Sequence, residues 1–218
     1  MPKAGRSAGQ VDTVKQNILD KALKLMFNDG FDALSMRKLA NQLGMTAANI
    51  YNYYTSKDEL YLAIQIQGFR ILAEKLKAIS TLPHSTEIKM RSYMWAYIHF
   101  GIENPDYYEI MFCRNTPKYS DYQNTSMEPS AALQRQTAID VADIPIQTIM
   151  ENNSPAQVTS IDEARYITIV IWSTLHGILS LYTSRVLQGL SDNTDQFMGR
   201  LIDDLIKHFI ETDEKTSS

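Results

Sequence analysis

Apolar positions recur at helical spacing along almost the whole chain. In the first run Val14, Ile18, Ala22, Leu25 and Met26 share one face, and the run stops at Asn28-Asp29-Gly30. Gly30 suits the left-handed residue that ends a helix. Thr13-x-x-Gln16, Ser56-x-x-Glu59 and Ser160-x-x-Glu163 read as capping boxes that open such runs. Ser35 opens a short helix to about Leu43, Thr46 another to Tyr53 or Tyr54, and Ser56 a long one to about Ile79. Further helices are predicted over roughly 86–103, 105–113, 128–152, 160–188 and 194–212. The breaks are "STLPHS" (80–85), a polar stretch at 114–127 expected to be a mobile loop, and "NNSPAQ" (152–157). Period-two alternation is nowhere sustained. The β-branched run "ITIVI" sits inside a long capped segment that favours helix. The fold class is therefore all-α, in two parts and without an internal repeat.

Composition narrows this picture. In 218 residues, 44% hydrophobic content supports a sizeable core, while 9 Gly and 7 Pro argue against collagen-like, disordered or turn-dense all-β chains. Charge is uneven. Residues 1–77 hold eleven Lys/Arg against seven Asp/Glu, a net of +4, and the remainder carries −8. A basic front on an acidic body suggests that only the front meets a polyanion. Cys113 is the single cysteine, which excludes an intrachain disulfide and a Cys-rich zinc site and suits a reducing cytoplasm. The start MPKAGRSAGQ has no apolar core of a signal peptide. From Tyr166 to Val186 the only charge is Arg185, but Ser, Thr, His and Gly interrupt the stretch. A helix buried in a bundle or a subunit interface is expected there, with no membrane partner.

The stretch "LANQLGMTAANIYNY", Leu39 to Tyr53, has the pattern of a helix-turn-helix. Two short helices crossing steeply need a small residue where they approach, which Ala40 provides. The turn between them needs a residue free to take positive φ, which Gly44 provides. Leu43, Met45 and Ile50 then clamp the pair. The opposite face of the second helix carries Thr46, Ala47, Asn49 and Asn52, small or hydrogen-bonding residues that fit a major groove. Tyr51 and Tyr53 lie along its flank, where phenolic hydroxyls reach phosphates, whereas Tyr54 points inward. Ser35 and Lys57, each at a helix start, offer donors to phosphate, and Arg37 is either a further phosphate contact or a solvated charge.

These residues resemble the DNA-binding domain of the TetR family of transcriptional regulators. The resemblance covers 18–64 and rests on the Phe27/Gly30/Phe31 helix end, Ser35-Met-Arg-x-Leu-Ala40, Gly44-Met-Thr46, Ile50-Tyr51 and Ser56-Lys57-Asp-Glu-Leu60. Two departures are Tyr53, where the family often has histidine, and Tyr54, usually phenylalanine, whose hydroxyl needs a partner at the core edge. In the body, Trp172-Ser-Thr-Leu-His176-Gly177 resembles the Trp-His-Gly signature of one effector-domain subgroup, and "NPDYYEIMF" (104–112) resembles the short helix of that subgroup.

The resemblance implies a homodimeric, cytoplasmic regulator of operator DNA, most simply a repressor, with a small-molecule cavity among the body helices. Residues 1–9 form a flexible basic arm, with Lys3 and Arg6 available to a minor groove. Residues 10–56 form the DNA-binding domain, with its motif at 35–54, and 57–218 the effector-binding and dimerisation domain. Met90, Tyr93, Tyr97, Phe100, Tyr107 and Met111 supply candidate cavity walls, and Trp172 and His176 suit either a wall or core packing. Phe197, Leu201, Leu205 and Phe209 make one stripe on the last helix, with Met198, Ile202 and Ile206 beside it. That stripe is wider than one neighbour covers, so with Leu175 and Leu179 it is the candidate dimer interface. The four histidines show no metal-ligand spacing, and no nucleophile elbow, phosphate-binding loop or zincin motif appears, so no catalytic residue, metal or cofactor is assigned. Two other readings stay open: a DNA-binding dimer answering a protein or nucleotide signal without a pocket, and a helical carrier or enzyme that lost DNA binding.

Overall fold

The computed structural model describes residues 7–114, 116–151, 158 and 160–210, and among these every regular element is helical. In chain order they are α1 (Ala8–Asp29), α2 (Met36–Gln42), α3 (Ala47–Tyr51), α4 (Lys57–Ser80), α5 (Thr86–Glu103) and α6 (Pro105–Tyr108). A π-helical turn (Glu109–Cys113) comes next, then α7 (Tyr119–Tyr122), α8 (Glu128–Glu151), α9 (Ile161–Thr183), α10 (Val186–Leu190) and α11 (Thr194–Phe209). The chain folds as two compact units, Met1–Phe69 with Asp106–Thr137, and Arg70–Pro105 with Ala138–Ser218. Residues 106–137 thus cluster with α1, α2, α3 and the first half of α4.

Several local signals differ from expectation. α1 begins at Ala8, opened by a capping box of Ser7 and Gln10; Thr13 lies inside the helix and bonds back to the Gly9 carbonyl at 2.8 Å. α9 stops at Thr183, because Arg185 takes a left-handed conformation (φ 62°), and α10 folds back onto α9. The described residues of the 114–127 stretch are pinned rather than free. Arg114 donates to the Phe27 carbonyl at 2.8 Å, Thr116 Oγ1 bonds the buried Tyr61 hydroxyl, and Tyr122 donates to Asp58 at 3.0 Å. Gln65 reaches the Ile110 carbonyl in the π-helical turn at 3.3 Å. A Cβ on Gly68 would collide with Met111 Sδ, so α4 and this turn approach as closely as glycine allows.

In the second unit α5, α9 and α11 pack on one another, and Arg91 of α5 pairs with Asp203 of α11. α9 is long and apolar enough to cross a membrane by length and composition. It is nonetheless two-faced: Ile167, Ile171, Leu175, Ile178 and Leu179 are buried in the unit, whereas Tyr166 and Ile169 are 59% and 53% exposed.

Candidate nucleic-acid interface and ligand cavity

The helix-turn-helix is built by local bonds. Gly44 has φ 64°, Met45 N–H donates to the Ala40 carbonyl at 2.9 Å and Gly44 N–H to Asn41 at 3.3 Å, which closes α2 with a Schellman motif. Leu39, Ala40 and Ile50 are fully buried between the helices, with Leu43 and Met45 half-buried beside them. Ser35 Oγ accepts the Lys38 N–H at 3.2 Å and Thr46 Oγ1 accepts the Asn49 N–H at 3.2 Å, so both hydroxyls are N-caps as well as candidate phosphate contacts.

α3 is short, ending at Tyr51 rather than at Tyr53 or Tyr54. Its outward stripe is Ala48, Tyr51 (50% exposed) and Asn52; Ala48 was missed in the sequence, which gives no reason to prefer it to Ala47. Ala47 and Tyr53 are half-buried. Asn49 is half-buried too and lines a groove shared with Val14, Asn17 and Ile18 of α1. Ser35, Arg37 and Thr46 are exposed.

Lys57 is drawn back onto the α1–α2 loop, with Nζ 3.5 Å from the Phe31 carbonyl, 3.8 Å from Asp32 and 4.2 Å from the centre of the Phe31 ring. Tyr54 points inward as expected, 8% exposed, but its hydroxyl meets no hydrogen-bond partner among the described residues. Burial, then Glu59 and Asp20, push its pKa up to about 12. The arm residues Lys3 and Arg6 lie outside the described residues.

The second unit holds a partly open cavity of about 70 Å³. Met90, Tyr93, Tyr97 and Trp172 line it, together with Leu72, Leu76, Met94, Val141, Ala142, Pro145, Thr168, Ile171 and Leu175, which the sequence pattern did not assign to it. Among the described residues, no charged side chain is in this wall. Tyr93 shares a hydrogen bond with Thr148 at 3.0 Å, and burial raises its pKa. Tyr97 pairs with His176 Nδ1 at 3.4 Å and meets Trp172 edge-on. His176 therefore stands behind the wall.

Three other expected wall residues are elsewhere. Phe100 is fully buried in packing, and Tyr107 and Met111 belong to the first unit, against Gly68. Of the expected interface, Leu175, Leu179 and Leu205 are buried inside their own chain, so a partner cannot reach them there; Phe197 is 46% exposed, and Leu201 and Phe209 are half-exposed. The one usable sign of the missed wall was Pro145 inside a helical run. Among the described residues, no group of three His, Cys, Asp or Glu could hold a metal ion.

Comparison with known proteins agrees with this geometry. Residues 18–64 match the profile of bacterial regulatory proteins of the tetR family, and residues 90–205 that of the tetracyclin repressor-like C-terminal domain. The chain is 20% identical to the uncharacterized HTH-type transcriptional regulator YobS of Bacillus subtilis, over 88% of this chain and 95% of that one. Its fold resembles a bacterial regulatory protein in the tetR family from Rhodococcus RHA1, with TM-score 0.70, 15% identity, and 91% and 98% of the two chains covered. It also resembles the transcriptional regulator FadR of Bacillus subtilis, solved in complex with stearoyl-CoA, with TM-score 0.66, 11% identity, and 91% and 99% covered.

Proposed function

Because this chain belongs to the TetR family of helix-turn-helix, DNA-binding transcriptional regulators, we propose that it is a cytoplasmic homodimeric repressor, released from its operator by a small apolar ligand. The carrying observation is the outward stripe of α3: Ala48, Tyr51 and Asn52 stand clear of the core, and Ser35 and Arg37 at the start of α2 are exposed too. Phosphate contacts from Ser35, Arg37, Thr46, Tyr51, Tyr53 and Lys57 set the register, and side chains of α3 read base edges. Ala47 and Asn49 serve at the margin of that surface.

One recognition helix per chain is too small for a specific site, so two copies bind a near-palindrome with half-sites one helical turn or more apart. The dimer face is the outer stripe of α9, Tyr166, Ile169, Ser173 and Gly177, with Phe197 and Leu201 of α11. These residues are exposed or half-exposed in the single chain, and a Cβ on Gly177 meets nothing within 4 Å. The motif Trp172…His176-Gly177 fits the Trp-His-Gly subgroup in this reading: Trp172 on the cavity, His176 behind Tyr97, Gly177 facing the partner.

Ligand acts by favouring a conformation whose recognition helices no longer match successive grooves. α4 is the lever, since it runs unbroken from Lys57 to Ser80 and gives Leu72 and Leu76 to the cavity wall. FadR, solved with stearoyl-CoA, is a precedent for a ligand with a long apolar chain in this fold. Linkage tests the proposal: a library compound that binds the protein is titrated with and without operator. A coupling of about 1–3 kcal/mol makes its affinity roughly 5- to 150-fold weaker on operator. Equal affinities rule the compound out as an inducer, and a library without any binder favours the pocketless reading.

A further inference from the structure

We infer that the backbone carbonyl of Val141 is the polar handle of the cavity, and that its ligand is a neutral molecule with an apolar body and one hydrogen-bond donor, such as a phenol or an alcohol. This rests on the cavity being the effector site. Pro145 lies inside α8. In an α-helix the carbonyl of residue 141 accepts the N–H of residue 145. Proline has no N–H, and its ring crowds that carbonyl and tilts it off the helix axis. Val141, Ala142 and Pro145 all line the cavity, so the face toward which the carbonyl tilts is the cavity face.

The hydroxyls of the wall are already committed. Thr168 donates to the Ala164 carbonyl at 2.9 Å, and Thr148 donates to Ile144 at 3.0 Å, which leaves Tyr93 to donate to Thr148. Tyr97 is engaged with His176. The wall therefore offers only hydrogen-bond acceptors, the Val141 carbonyl and the lone pairs of hydroxyls that already donate, and no charge. A carboxylate would be desolvated there without a counter-ion, whereas a neutral O–H would satisfy the carbonyl. Size sets a second bound. An apolar cavity of about 150 Å³ takes a benzene ring, so this one of about 70 Å³ widens on binding, through the flexible side chains of Met90 and Met94.

The test is calorimetric titration of the full-length protein with phenol, toluene and benzoate, each against wild type and Pro145→Ala. The variant restores an N–H at 145 and ties the carbonyl back into the helix. The expected result is competitive binding of phenol and toluene, no binding of benzoate, and a phenol-to-toluene affinity ratio that falls about five- to tenfold in Pro145→Ala. A ratio unchanged by the substitution overturns the handle while leaving the apolar effector site standing; failure of both phenol and toluene to bind wild type overturns both. Val141-Ala142 is the only Val-Ala pair in the chain, so labelling Val carbonyls with ¹³C and Ala amides with ¹⁵N isolates this one carbonyl without any substitution. Its ¹³C signal moves more with phenol than with toluene, and equal movement overturns the handle.

Discussion

Arg114 donates from Nη2 to the carbonyl of Phe27 at 2.8 Å, closing the end of α1 with a charge from the far side of the π-helical turn. Helix ends leave carbonyls without partners, and a cation there also meets the negative end of the helix dipole. Nε of Arg114 lies 3.0 Å from Glu109, so the guanidinium joins the turn to the helix that supports the DNA-binding motif. Arg114→Ala is expected to lower unfolding stability by about 1–3 kcal/mol. Urea denaturation measures it, and an unchanged midpoint would contradict the role given to this contact.

Lys57 and Asp32 form the second relationship with a measurable outcome. Nζ of Lys57 is held near a fully exposed carboxylate at 3.8 Å, a weak contact that the proposed phosphate contact would displace. Lys57→Ala is expected to reduce the slope of log affinity against log salt by about one per subunit, without changing base preference. Asp32→Asn is expected to strengthen binding to any duplex. Anisotropy titrations across a salt series check both; an altered base preference in Lys57→Ala would contradict its assignment.

Tyr54 gives a pH dependence with a definite sign. Its phenol is raised to about 12 in the fold from an ordinary 10, by burial first and then by Glu59 and Asp20. Below pH 10 folded and unfolded chains both hold the proton, so the stability it provides is fully present. Between about 10 and 12 the unfolded chain loses the proton first, and stability falls as pH rises. Tyr54→Phe is expected to flatten that alkaline loss and to leave stability at pH 7 nearly unchanged. Urea titrations at pH 7 and pH 11 measure it.

The outer stripe of α9 gives the clearest test of assembly. A side chain on Gly177 meets nothing in its own chain, and replacing helical glycine does not harm the helix. Gly177→Glu is expected to yield a folded monomer in sedimentation, with weakened operator binding. A dimer of unchanged affinity would place the interface elsewhere.

How much of the fold the sequence reveals depends on how far each signal reaches along the chain. Gly44, Ser35, Thr46 and Ser160 act on backbone within three or four residues, and their turn and caps appear where the pattern predicts. Ser7 is also a local cap, but the weak apolar pattern of α1 before Val14 hides it. Arg185 carries no turn signal at all, and its left-handed conformation ends α9 inside an apolar run.

The cavity depends on longer-range information. Met90, Tyr93, Tyr97, Phe100, Tyr107 and Met111 look alike as a stripe of large apolar residues, yet only three of the six line the wall. Helical periodicity places a residue inward without saying against what, and the π-helical turn after Tyr108 shifts the register of Met111 and its neighbours. Leu175, Leu179 and Leu205 show the same limit: a broad apolar stripe does not distinguish a face buried within the chain from one buried by a second copy.

Operator binding by two copies through α3 is tested most directly by incubating the full-length protein with random-sequence duplexes, then sequencing those retained, for wild type and for Asn52→Ala. The expected outcome is an enriched inverted repeat whose half-site centres lie one helical turn (about 34–36 Å) or somewhat more apart, and relaxed base preference at one position of each half in the variant. Retained duplexes without a shared sequence, or an Asn52→Ala pool identical to that of wild type, would contradict it.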